Sequence, residues 1–235
     1  MFDPPPPPEG YTRIAAATIH DIAAGSDVTY CQYVMAPFDH DMDVLDTSGY
    51  QSAYGHHAVA MEYTPQPGDV PGSSFACMGT EFSAGGAVDG GAKPSTSLSG
   101  GAFLGASRSP GGGPPPVSLP DGVAIRLSKG GGIMLNLHYL NTGDETIDGD
   151  AVLDLKLAEP DPNRRLAAMF INLNMGFALP PAKPTTSTID CVAQSDVEII
   201  MMTNHMHEFG TSASTTVLRG AGGSTDTLHD DPTWT

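Results

Sequence analysis

Short apolar runs with a period of two, separated by glycine, proline and polar turns, recur along most of the chain, and few stretches show the 3.6-residue period of an amphipathic helix. Residues 28–35 (VTYCQYVM) are rich in β-branched and aromatic side chains and stop short of Pro37, as a strand with a terminator should. Residues 58–63 form a second strand candidate, with Gly55 just ahead to supply backbone freedom for a bulge or tight entry. The turn Pro120-Asp121-Gly122 feeds residues 123–127, and the turn at 129–132 feeds residues 133–140, so these two runs are predicted to be neighbouring antiparallel strands. In the second run Ile133, Leu135, Leu137 and Tyr139 share one face, and Met134, Asn136, His138 and Leu140 the other. Residues 151–157 alternate, with Ala151, Leu153, Leu155 and Leu157 inward and Asp154 and Lys156 outward. Glu159-Pro160-Asp161-Pro162 is a natural break, beyond which residues 166–173, 187–193, 197–202 and 215–218 repeat the same style. The pattern predicts an all-β chain with a leader and first strand over 1–27, one domain over 28–160 and a second over 161–235.

Composition adjusts this outline in two places. Glycine and proline are concentrated in Pro4 to Pro8, in residues 85–113 and in Pro114 to Pro116, which reads as a mobile leader and a long loop insertion within an otherwise foldable chain that is 40% apolar. A formal net charge of −17 repels phosphate backbones and makes nucleic acid an unexpected partner. No apolar stretch approaches the ~18 residues of a membrane span. The start Met1-Phe2-Asp3 lacks the basic and apolar segments of a secretory leader, so the proline-rich start reads as what remains after removal of a signal or lipoprotein tether. Cys31, Cys77 and Cys191 make an odd count, which in an exported protein implies one bridge and one stranded thiol.

The candidate chemistry lies in five of the eight histidines, which fall into three groups: His56-His57, His138, and His205-Met206-His207. Along a strand His205 and His207 point to one face and can present both imidazoles to one ion, whereas adjacent His56 and His57 diverge unless a bulge or strand end intervenes. Imidazole suits zinc, copper, iron or nickel, and a nearby thioether favours copper. A lone strand histidine such as His138 is more often a hydrogen-bonded core or edge residue than a ligand. His20, His40 and His229 sit in loop-like or acidic contexts and are expected to be ordinary surface residues, and Met201, Met202 and Met206 to be core filler.

Taken in order, GHHAVAMEY (55–63), LPDGVAIRL with GGIMLNLHYLN (119–141) and TNHMHEFGTS (203–212) resemble the ascorbate-dependent copper type II monooxygenases, the family of dopamine β-monooxygenase and peptidylglycine α-hydroxylating monooxygenase. The likeness runs from about Val28 onward. It implies two tandem antiparallel β-sandwich domains of jelly-roll type with one copper each. His56, His57 and His138 would then hold an electron-supplying copper, and His205 and His207, with Gly210 matching the family glycine, two ligands of an oxygen-activating copper. It further implies ascorbate as reductant, dioxygen as co-substrate and hydroxylation of an activated C–H of a small molecule or peptide. The family pairs cysteines at positions like Cys31 and Cys77, and joins one like Cys191 to a partner near a downstream methionine ligand. Neither of those last two residues occurs before Thr235, so the second domain is expected to be incomplete in this chain; the rival expectation is a short variant closed by Met201 or Met206. Thr203 stands where the peptide-amidating branch carries a carboxylate-gripping arginine, which disfavours a substrate with a C-terminal carboxylate. Secretion, or a periplasmic or cell-surface location, follows from the same likeness. The alternative function is a copper-binding or electron-transfer β-sandwich without hydroxylase activity.

Overall fold

The computed structural model describes residues 2–35, 38–77, 102–108, 119–170, 178–202, 204, 206, 210–220 and 222–233. Among them there is no helix, and the regular structure is entirely β; no helix is long and apolar enough to cross a membrane. The chain divides into two compact units, residues 1–171 and 172–235.

The first unit holds two five-stranded sheets. One runs β1 (Thr12–Ala15), β11 (Ala151–Ala158), β4 (Met42–Gln51), β8 (Val123–Leu127), β12 (Arg165–Leu166); the other runs β6 (Ser74–Ala76), β3 (Asp27–Met35), β9 (Gly132–Leu140), β5 (Gly55–Tyr63), β7 (Phe103–Arg108). All neighbours are antiparallel except β12, which lies parallel to β8. A short pair, β2 (Ile19–Ile22) with β10 (Ile147–Gly149), completes the unit. The inner faces of both sheets meet in one apolar cluster: Ile14, Val44, Leu127, Leu153 and Leu155 come from the first, and Ala58, Ala60, Leu104, Leu135 and Leu137 from the second. This is a β-sandwich, held by alternation on each strand.

Strand β9 shows the alternation most plainly. Ile133, Leu135, Leu137 and Tyr139 are all at most 1% exposed and face the core, each leucine contributing about 2 kcal/mol by burial. Met134 and Asn136 face outward into a second cluster with Cys31, Tyr33, Tyr63 and Cys77. The Cys31–Cys77 disulfide is present, tying β3 to the residue after β6.

Several expectations are corrected by the tertiary structure. Strands β8 and β9 are not partners but belong to opposite sheets. The turn between them crosses the sandwich because its amides are taken by other segments: Ser128 donates to Glu62, Lys129 to Asp41 and Gly130 to the Phe38 carbonyl. The glycine-rich stretch contains a strand, β7, which pairs with β5 along its edge; there Gly105, at φ 147°, lies so close to Thr47 that an added Cβ would meet its Cγ2 at 2.4 Å. The proline-rich start is tied down, its Pro5 carbonyl accepting from Arg13. Strand β4 carries no visible alternation in sequence because a bulge opposite Lys156 and Leu157 shifts its register. Beyond the Glu159–Pro162 break the chain returns to the first unit through β12, with Arg164 and the Asp161 amide both bound to Asp43.

In the second unit β13 (Ala213–Leu218) and β14 (Thr225–Asp231) form an antiparallel hairpin. Asn204 anchors to it, donating to the Ala213 carbonyl and to Asp231 and accepting from Thr215. Residues 187–193 and 197–202, expected as strands, form none and are largely exposed, since no neighbouring segment offers them a ladder among the described residues.

Candidate metal centre

The outer face of the second sheet brings the imidazoles of adjacent His56 and His57 together with that of the distant His138. Strand β9 runs between β3 and β5, so the row across the sheet at His138 reads Thr29, His138, His57. One residue does not fit that ladder. Gly55 pairs with Tyr139 and His57 with His138, which leaves His56 as the extra residue of a bulge. That bulge is what adjacent histidines need to share a site, because it turns two consecutive side chains towards the same side.

Local chemistry explains why the bulge forms at this place. The turn from Ser52 to Gly55 is closed by a backbone bond of 3.1 Å. Its left-handed residue is Tyr54, at φ 63°, whose carbonyl accepts from Leu140. Gly55 serves close approach: a Cβ there would lie 2.7 Å from the Gln51 side chain.

The three rings form a compact triangle, with centroid separations of 5.2 Å for His56–His57, 4.8 Å for His56–His138 and 5.0 Å for His57–His138. One nitrogen from each lies within 4.8 Å of the others. With imidazole–metal bonds of about 2.0–2.1 Å, donors on one ion lie no more than about 4.2 Å apart, so small ring rotations close the set on a metal. His56 is exposed, and His57 and His138 are half-buried, which leaves the triangle open to solvent on one side.

Hydrogen bonds behind the rings orient two of them. His57 Nε2 lies 3.3 Å from Asn136 Oδ1, and His138 Nε2 lies 2.5 Å from Asp27 Oδ1. The Asn136 amide nitrogen in turn donates to Cys77 Sγ at 3.4 Å and Cys31 Sγ at 3.7 Å. Three neutral nitrogen donors with no thiolate match the borderline metals copper and zinc rather than calcium or magnesium.

Of the sequence-predicted ligands, His56, His57 and His138 are therefore gathered into one cluster, whereas His205 and His207 lie outside the described residues, as does Thr203. Met206 and Met202 are half-buried and Met201 is exposed. Cys191 is exposed as a thiol. His20 pairs with Asp148, His40 with Asp39 and His229 with Asp231, as ordinary surface histidines do. Sequence reasoning missed Asp27 and Asn136. The position of Asn136, two before His138 on its face, was a signal in plain view; Asp27 gave none. No family model matches the chain, and no curated protein matches it in sequence.

Proposed function

We propose that the protein is a copper-dependent monooxygenase reduced by ascorbate, with His56, His57 and His138 holding the electron-supplying copper and His205 and His207 contributing to an oxygen-activating one. The observation that carries this reading is the bulged His56-His57 pair set against His138, a three-imidazole cluster assembled from two strands far apart in sequence. Copper bound there supplies one-electron chemistry, since neutral imidazoles support both of its common oxidation states. The residues do the rest. The strand pairing fixes the spacing of His57 and His138, the bulge brings in His56, and the open side of the triangle admits a small reductant. The Cys31–Cys77 disulfide supports an exported protein working in an oxidising compartment. The substrate class is a small molecule or peptide with an activated C–H, and Thr203 in place of an arginine argues against a C-terminal carboxylate.

The test is copper titration of the full chain with ascorbate-dependent oxygen uptake. Two coppers and ascorbate-driven oxygen consumption that disappears in His205→Ala are expected. Zinc binding alone, with no oxygen uptake by the copper-loaded, reduced protein, overturns the reading. A second reading, a copper-binding electron-transfer module, is favoured by the fact that the first unit assembles its imidazole triad from its own strands. Under it, copper content is lost in His138→Ala and unaltered in His205→Ala.

A further inference from the structure

Two hydrogen bonds at the triad do more than fill space. A neutral imidazole has one N–H donor and one lone pair, so whatever accepts from one ring nitrogen decides which nitrogen can bind a metal. At His57 the acceptor is fixed by its own surroundings. Asn136 is 1% exposed, and its amide nitrogen faces both sulfurs of the Cys31–Cys77 disulfide, which are acceptors. Its Oδ1 must then be the atom turned to His57, so His57 carries its proton on Nε2 and its lone pair on Nδ1. Nδ1 is also the atom that faces His56, Nδ1 to Nδ1 at 3.0 Å. Two ring lone pairs at that distance repel unless a proton or a metal ion lies between them. At His138 the same logic applies with a carboxylate: Asp27 accepts from Nε2 and leaves Nδ1 for coordination.

We infer that Asn136 and Asp27 are positioning residues for the metal, each selecting the Nδ1-coordinating form of one imidazole, and that the disulfide is a working part of the site because it sets which way the Asn136 amide points. This deepens the copper reading above and rests on it. Asn136 reaches His57 across the β5–β9 ladder, and Asp27 reaches His138 from the start of β3, two residues before the Thr29 partner of His138. All three central strands of the sheet therefore contribute to fixing the rings. The disulfide sits one row further along the same face, where Cys31 pairs with Asn136.

Cu(II) alone is the probe, added to the full chain in competition with a chelator, with the electron paramagnetic resonance spectrum of the bound ion as a second readout. Loss of a partner that orients a metal-bound histidine weakens affinity by about 10–100-fold. Asp27→Ala is expected to lose affinity within that range and to change the copper spectrum; Asp27 is two-thirds exposed, so this variant keeps its fold. Asp27→Asn, which keeps an acceptor oxygen, restores most of the affinity. Asn136→Ala behaves like Asp27→Ala, whereas Asn136→Asp keeps the acceptor for His57 but loses the donor to the sulfurs. The double variant Cys31→Ala, Cys77→Ala, which removes the sulfur acceptors without adding a thiol or a reductant, shifts the copper spectrum in the wild-type background and leaves that of Asn136→Ala unchanged. If the wild-type chain takes up no Cu(II) at the triad, the metal reading itself falls. If it does, and Asp27→Ala and Asn136→Ala bind with wild-type affinity and an unchanged spectrum, the positioning roles are overturned while the metal centre stands.

Discussion

The two sheets of the first unit carry polar groups on their outer faces in opposite ways. On the sheet containing β4 and β11, every buried carboxylate is saturated: Asp154 receives two bonds of 2.7 Å from Arg13, and Asp43 receives Arg126, Arg164 and the Asp161 amide. Both carboxylates are fully shielded from solvent, and each lies opposite an arginine in the strand ladder. Such clusters neutralise themselves and leave no valence for a ligand. On the sheet containing β5 and β9, the clustered groups are three imidazoles, two of them bonded at Nε2 by Asn136 and Asp27, with one nitrogen of each ring within 4.8 Å of the others. Polarity on a sheet face says little until the partners are counted: paired carboxylates and arginines stabilise the fold, whereas clustered imidazoles are groups that could hold a cation.

Predictions that test this contrast differ in size. The largest effect belongs to the disulfide: the double variant Cys31→Ser, Cys77→Ser opens a link spanning 46 residues and is expected to lose about 4 kcal/mol in denaturant unfolding. On the charged face, Asp43→Asn strands two arginines that are only partly exposed and should cost about 2–3 kcal/mol while leaving copper uptake at the wild-type level. A loss of copper in that variant would erase the distinction between the two faces. His57→Ala or His138→Ala should do the reverse, abolishing Cu(II) binding at the triad while changing the unfolding free energy by less than about 1 kcal/mol, as for half-exposed positions.

The contrast also has a pH signature. Burial on its own raises the Asp43 carboxyl, but Arg126, Arg164 and the Asp161 amide outweigh it and hold the group below the usual carboxylate range. A depressed folded value means that this stabilisation is complete above the unfolded value of about 3.9 and is lost as pH falls through the folded one. Thermal melts should therefore fall steeply below about pH 4, and Asp43→Asn should flatten that acid limb. The smallest effect is a control: His40→Gln, at an exposed pair with Asp39, should change neither copper stoichiometry nor spectrum.

Much of the sandwich was legible in the chain because alternation is local. The faces of β9 could be assigned residue by residue, and the need for a bulge at His56-His57 follows from the period of a strand alone. What alternation does not encode is the partner. The runs 123–127 and 133–140 looked like a hairpin because only a short turn separates them, yet they feed opposite sheets. Strand β4 was hidden by its bulge, and β7 by the glycines around it.

The same division holds at the candidate site. Residue types and spacing singled out His56, His57 and His138, and the family likeness paired Cys31 with Cys77. The contacts of Asp27 and Asn136 with the histidines were decided only by folding, since Asp27 meets His138 across 111 positions of sequence and Asn136 meets His57 across 79. Those contacts depend on the long-range register of β3, β9 and β5. A register is a property of three strands at once, so no single stretch of sequence contains it.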